Sequence, residues 1–368
     1  MSKFDVPRLT KALVLRKSAT VQKPVYNDAK VESREIPSLR SSEVLVKIRA
    51  AAFNHRELWI RKGLYPNIAL GSIFGADGAG VVVASGQSQD SLLNSRVFMS
   101  PMVGWEKSLD GPESPNFGVV GGVAYPPLGY FANYVVVDRS LVFKSASHLD
   151  DIHMAAWPLA GLTAWRAITT CASVQAGQNI LITGIGGGVA LLALQLCVAK
   201  GAHVYVTSGS QEKINKAIVL GAEGGANYKD GEFNDWPVQL SQALQNIQGK
   251  GAVFDSVIDS GGGHIMSQVS SCLKRGGKVV CYGMTADPKI TFTMREVMRN
   301  QHLIGTMMGS LQDMKDATAF LEEHRIVPVV SHVLEGLESA EEGFEILKKG
   351  DQFGKVVIRI EEKRSGKL

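Results

Sequence analysis

The sequence predicts an α/β protein in which a doubly wound parallel sheet is joined to a second, mostly-β domain. Three observations predict it. The chain has 368 residues, more than the roughly 100–200 that one domain uses. From about Pro158 onward, short apolar runs alternate with helical stretches. Before that point, short apolar runs alternate with turn residues instead. A composition of 45% apolar and 20% charged residues is ordinary for a globular chain and excludes disordered or collagen-like classes.

Residues 43–53 set Val44, Val46 and Ile48 against Leu45, Lys47 and Arg49, the alternation of a half-buried strand. Further strands are expected at 80–84, 97–100 and 131–137. Residues 104–129 carry four prolines and six glycines and read as a long irregular loop. Fully apolar runs at 180–183, 203–207, 253–259, 278–283 and 302–306 then alternate with helices expected at 188–200, 211–220, 236–247 and 264–273. Buried strands alternating with crossover helices specify a parallel sheet covered on both faces. The last sixty residues offer helices near 311–323 and 339–348 and a strand at 355–360. They read as a return to the first domain, so the partition is 1–157, 158–308 and 309–368.

Several function classes are excluded. The four cysteines, Cys171, Cys197, Cys272 and Cys281, form no CxxC pair, which argues against a disulfide framework or a cysteine-rich zinc module. The net charge of +4 is dispersed, without the basic stripe of a nucleic-acid binder. No secretory signal opens the chain. The longest apolar run, 188–199, is interrupted by Gln195 and is too short for a membrane span. A cytoplasmic protein is expected. The terminal Gly366-Lys367-Leu368 is one residue from the peroxisomal Ser-Lys-Leu address, and a solvated tail is the preferred reading.

Glycine is enriched, 39 of 368 residues against about 7% on average, and it concentrates meaningfully at one place. The run Ile180–Thr183 leads into Gly184-Ile185-Gly186-Gly187-Gly188-Val189-Ala190 and then directly into a helix. Glycines there allow positive φ and close approach of backbone N–H groups to a pyrophosphate, while the helix N-terminus favours its charge. A plain tight strand–helix turn is the alternative. The next strand ends Thr207-Ser208-Gly209-Ser210, without the acid that would hold a ribose 2′-hydroxyl in an NAD site. Glu212 falls in the first turn of the following helix, and Lys213 comes next. Hydroxyls plus a lysine suit a 2′-phosphate, so NADP(H) is expected over NAD(H); a solvated helix charge is the alternative for Lys213.

Residues 44–63 (VLVKIRAAAFNHRELWIRKG), 75–86 (GADGAGVVVASG), 158–165 (PLAGLTAW), the glycine loop, 220–228 (LGAEGGANY) and 353–358 (FGKVVI) resemble the medium-chain dehydrogenase/reductase superfamily. That resemblance implies a GroES-like domain interrupted by a Rossmann domain. Its zinc-dependent members would place ligands at Asn54, at Ala76 of Gly75-Ala76-Asp77, and near Leu159, none of which ligates zinc in the ordinary way. The four-cysteine structural lobe of those relatives would fall in 104–129, where no cysteine occurs. Arg56 stands where a proton-relaying hydroxyl would be. His55, Glu57 and Asp77 read as charged loop residues rather than as an unusual metal site, so no metal is expected.

The sequence around 54–59 is similar to the zinc-free quinone and enone reductases of that superfamily. The resemblance implies a reductase delivering hydride from NADPH to a quinone or an α,β-unsaturated carbonyl. It places Asn54 beside the nicotinamide ribose and substrate, with an Asn in a strand-end turn as the alternative. Tyr65 would donate to the substrate oxygen and Trp59 would line the pocket, unless both are packed aromatics. Thr163 would contact the nicotinamide end, and Lys213 and Tyr228 would hold the 2′-phosphate with Ser208 and Ser210. Ser260, Gly261, Tyr282 and Gly283 lie at strand carboxyl ends, where such sheets bind ligands. Met307 and Met308 would flank the nicotinamide or fill an interdomain cleft, and Lys355 matches a lysine near the cofactor. A homodimer paired through residues 289–294 as an edge strand is expected. Two other readings stay open: an enoyl reductase acting on carrier-delivered acyl chains, and a nucleotide-bound sensor without efficient catalysis.

Overall fold

The strand Glu43–Ala52 organises the first half of the molecule, because three strands pair with it and two of them bring residues to its C-terminal end. One edge pairs with Asp77–Ser85. The other edge is shared: residues 43–47 pair with Tyr134–Asp138, and residues 50–52 pair with Lys355–Arg359. The sheet extends outward to Arg96–Met99 and Val142–Lys144 on one side and to Val330–Glu335 on the other. Its central strand is more deeply covered than a half-buried alternation requires: Leu45 is as buried as Val44 and Val46.

The computed structural model describes residues 7–22, 25–230 and 235–360; the terminal Gly366-Lys367-Leu368 lies outside the described residues. The chain divides into two compact units, Met1–Leu159 with Ser310–Leu368, and Ala160–Gly309. In the first, an antiparallel hairpin of Leu9–Gln22 and Val25–Glu35 precedes the main sheet. Residues 104–129 form the irregular loop that their prolines and glycines predict, relieved only by a short ladder between Met102–Val103 and Gly118–Val119.

The second unit is a six-stranded parallel sheet. Its spatial order is Gly224–Asn227, His203–Ser208, Asn179–Ile182, Phe254–Asp259, Leu273–Cys281 and His302–Gly305. Chain order runs outward in both directions from Asn179–Ile182, the doubly wound arrangement whose reversal point opens a ligand crevice at the strand carboxyl ends. Buried helices such as Gly188–Ala199 cover the sheet.

Two expectations are corrected here. The helix expected at 264–273 is only Ile265–Val269. Leu273 instead pairs with Phe254 and opens a strand, with a register shift across Gly276 and Gly277. Residues 289–293 form no strand, and the free edge of the sheet is His302–Gly305. Gly224–Asn227, a strand not among those expected, forms the opposite edge. Among the described residues no helix is long and apolar enough to cross a membrane.

Candidate active site and nucleotide loop

In the first unit, sheet register assembles a buried polar cluster. Ala52 lies opposite both Asp77 and Val357 in the flanking strands. Two residues beyond Ala52 comes Asn54, and two before Val357 comes Lys355, so Asn54, Asp77 and Lys355 meet at one end of three adjacent strands. The Asn54 amide donates from Nδ2 to Asp77 Oδ2 at 2.9 Å and accepts from Lys355 Nζ at 2.5 Å. Lys355 Nζ also donates to Asp77 Oδ2 at 2.9 Å, and the Leu159 backbone N–H donates to Asp77 Oδ1 at 2.8 Å. Asp77 is fully buried and Lys355 is 5% exposed.

Asn54 also begins the His55–Arg61 helix, and Glu57 accepts its backbone N–H at 2.6 Å. The other Glu57 oxygen accepts from Arg56 at 2.9 Å. Complete burial raises the Glu57 carboxyl above its ordinary range, an effect that Arg56 and the Asn54 N–H partly offset. Arg56 itself donates to the carbonyls of Val120 and Gly121 at 2.8 Å each and stacks over Tyr65 at 4.6 Å. Tyr65 and Asn54 therefore belong to one connected network. The Trp59 ring packs against His55 and beneath Lys62.

An aromatic core holds this cluster from behind. Phe53 lies edge-on to both Phe131 and Phe344, with centroids 4.9 and 5.1 Å apart, and such pairs add about 0.5–1.5 kcal/mol beyond burial. Gly75, at φ +93°, sits where a Cβ would stand 2.1 Å from the Phe131 ring. That glycine lets the chain leading to Asp77 pass directly over the aromatic core.

Zinc fits these residues poorly. The three positions named above present an amide, a methyl and an isobutyl group. The one carboxylate, Asp77, is already engaged by an ammonium, an amide and a backbone N–H. His55 is exposed and Glu57 is turned to Arg56 and Asn54. Among the described residues no group of three His, Cys, Asp or Glu side chains could hold a metal ion.

In the second unit the glycine loop lies at the sheet's reversal point. Gly184 has φ +65° and Gly186 φ +129°. Added to Gly184, a Cβ would meet Ser260 Oγ at 2.5 Å, across the gap between the first and fourth strands in chain order. Gly187 caps the Gly188–Ala199 helix and faces open space, with Val189 in the first turn. The Gly184 N–H is held by Thr207 Oγ1 at 3.2 Å and the Ile185 N–H by the Thr207 carbonyl at 2.8 Å. Gly187 thus leaves the helix start open, a shape that a dinucleotide phosphate fits.

The residues expected at the adenosine end gather beside that loop. Ser208 is buried at its strand end, and Ser210 caps the Gln211–Val219 helix by accepting the Lys213 N–H at 3.4 Å. The exposed Tyr228 is tied to the Ser208 carbonyl through its backbone N–H at 3.0 Å. A Cβ on Gly209 would touch both Tyr228 and Lys229. Lys229 escaped the sequence reading; its place directly after Tyr228 was the available signal. Glu212 lies in the first helical turn and pairs with Lys216 at 2.6 Å.

Ser260, Gly261, Tyr282 and Gly283 cluster at the neighbouring strand ends. Thr183 Oγ1 donates to Asp259 at 2.6 Å and accepts the Ser260 N–H, and the Tyr282 N–H reaches the Asp259 carbonyl at 3.0 Å. Burial raises the Tyr282 phenol above its ordinary range. Thr163 Oγ1 lies 4.0 Å from the sulfur of Met308, a buried residue held at φ +57°, while Met307 is exposed. Lys355, expected near the cofactor, makes its contacts with Asn54 and Asp77.

Comparison with known proteins agrees with both halves. A family model described as alcohol dehydrogenase GroES-like domain matches residues 40–147. Another, described as zinc-binding dehydrogenase, matches 188–323. The chain is 39% identical to the zinc-type alcohol dehydrogenase-like protein YogA of Leptosphaeria maculans, over 91% of this chain and 96% of the relative. It is 26% identical to the crotonyl-CoA carboxylase/reductase of Cereibacter sphaeroides, over 91% and 84% of the two chains. A crystal structure of an NAD-dependent alcohol dehydrogenase matches with a TM-score of 0.82 and 29% identity, over 95% of this chain and 100% of that one. Strand order, glycine loop and sequence likeness together show that the chain belongs to the medium-chain dehydrogenase/reductase superfamily, with a GroES-like domain and a Rossmann domain.

Proposed function

We propose that this protein is a zinc-independent reductase that uses NADPH to reduce a quinone or an α,β-unsaturated carbonyl. In this reading residues 1–157 and 309–368 form the catalytic domain, and 158–308 bind the nucleotide. The observation that carries it is the Asn54–Asp77–Lys355 cluster, which supplies fixed hydrogen-bonding groups where a Lewis acid would otherwise be needed. Alcohol oxidation requires stabilisation of an alkoxide. A carbon that is already electrophilic requires only positioning and a donor for the oxygen that gains charge. Bound NADPH supplies the hydride. Asn54 donates to the substrate oxygen, Tyr65 or water delivers the proton, Trp59 lines the pocket, and Thr163 contacts the nicotinamide. Ser208, Ser210, Lys213 and Tyr228, with no acid among them, favour a 2′-phosphate over a bare ribose. The four buried free thiols suit a reducing cytoplasm.

The likeness to crotonyl-CoA carboxylase/reductase favours an enoyl thioester as a second substrate class. The names of the zinc-type relative and of the NAD-dependent neighbour point the other way on metal and cofactor, so both are measured directly. Purified protein is expected to carry no stoichiometric zinc, to bind NADPH more tightly than NADH, and to oxidise NADPH with 9,10-phenanthrenequinone or a simple enone. One zinc per chain, or tighter binding of NADH, overturns the proposal. A sheet edge at His302–Gly305 with no further strand beside it among the described residues, flanked by exposed Phe292, supports a homodimer.

A further inference from the structure

We infer that Lys355 and Asp77 are positioning residues that lock the Asn54 carboxamide in one orientation and so determine which edge of it faces a substrate. The inference rests on the reductase reading for its kinetic consequence, but not for the orientation itself. A carboxamide has two donors and one acceptor atom, and rotation by half a turn exchanges them. Here the carbonyl faces the Lys355 ammonium at 2.5 Å and the amino group faces the Asp77 carboxylate at 2.9 Å. The rotated amide would set N–H against ammonium and carbonyl against carboxylate, two repulsive contacts in place of two charge-assisted hydrogen bonds. All three residues are at most 9% exposed, so water does not soften that penalty.

The clamp is itself braced. Lys355 and Asp77 are paired at 2.9 Å, and the second Asp77 oxygen is held by the Leu159 N–H. Their opposite charges cancel, and Arg56 with Glu57 forms a second neutral pair. The cluster therefore orients the amide without imposing a net charge on the site. One Nδ2 hydrogen remains outside the clamp, at a fixed direction, to meet an oxygen that becomes negative when hydride arrives at its conjugated carbon.

Replacing one partner would bury an unpaired charge, so the decisive variant is Lys355→Met/Asp77→Leu, which removes both. The Asn54 carboxamide is followed by nitrogen-15 NMR of asparagine-labelled protein and identified by its loss in Asn54→Ala. In the double variant its protons are expected to exchange with water about tenfold faster or more, because both charge-assisted bonds are gone. With a quinone or enone, kcat is expected to fall about 10- to 100-fold, as for a misplaced transition-state donor, while the NADPH Kd holds. That fall should vanish when Asn54 is already alanine, and Lys355→Arg should recover most of the rate. Unchanged Asn54 exchange in the double variant, or an equal loss of kcat in the Asn54→Ala background, overturns the inference. If the wild-type protein turns over no quinone or enone, the reductase reading fails, and the NMR result alone decides the clamp.

Discussion

In the proposed function, Lys213 is the side chain that sets the choice of nucleotide. Its backbone N–H is held by the Ser210 cap, which fixes where the helix begins beside the glycine loop. If its ammonium meets a 2′-phosphate, Lys213→Ala should raise the NADPH Kd about ten- to a hundredfold while leaving that for NADH nearly unchanged, since one charge-assisted contact is worth about 1.5–3 kcal/mol. Nucleotide titrations by fluorescence check this, and equal loss for both nucleotides would show a generic helix effect. The strand, glycine loop and helix start were legible from sequence because their signal is local: they follow one another within about one βαβ unit. The partners of Lys355 were not legible. Residues 54, 77 and 355 meet only through the register of three strands, and no sequence period records register between distant strands.

At the scale of elements, the loop 104–129 is anchored by one carboxylate. Glu113 accepts the backbone N–H groups of Glu106, Lys107 and Ser108 at 2.8, 2.8 and 2.5 Å. These donors hold its carboxyl down at about 2. A carboxyl lowered in the folded state stabilises above its ordinary value of 4.5 and loses that contribution as pH falls from there toward about 2. Trp105, buried in the same loop with its indole N–H on the Ser108 carbonyl at 2.8 Å, should report the change. Its fluorescence, isolated by subtracting a Trp105→Phe variant, is expected to shift across that pH range, and Glu113→Gln should show the shifted state already at pH 7. A Glu113→Gln spectrum identical to wild type at neutral pH would refute this role. The loop's irregularity was readable from its prolines and glycines, but the anchoring acid was not. The hairpin Leu9–Gln22 and Val25–Glu35 escaped notice for a related reason. Its second strand carries Asp28, Lys30, Glu32, Arg34 and Glu35, a pattern with little apolar alternation. Cross-strand pairing, such as Arg16 with Glu32 at 2.8 Å, accompanies it instead.

For the whole molecule, the edge at His302–Gly305, which has no further strand beside it among the described residues, sets an expectation about assembly. An exposed edge strand offers unpaired backbone groups and invites a second copy. Sedimentation should give about twice the 39.6 kDa of one chain, and a charge placed on the exposed Met298, as Met298→Asp, should shift the protein toward the monomer. A wild-type monomer at micromolar concentration would remove the dimer from the proposal. The segment 289–294 misled because alternation alone does not make a strand: Thr293 there begins a capped helical turn, with Glu296 accepting its N–H at 2.8 Å.

The discontinuity of the first unit has a consequence for how the protein is born. Ala160–Gly309 is one uninterrupted stretch, and domains emerging from the ribosome tend to fold as units, N-terminal parts first. Asn54 and Asp77 are synthesised early, but the strand that brings Lys355 to them is made only after the nucleotide-binding stretch. Until then the Asp77 carboxylate has no cation to meet it. A nascent chain would thus acquire its nucleotide cradle before its amide clamp, and a ribosome stalled short of residue 355 would display the first without the second.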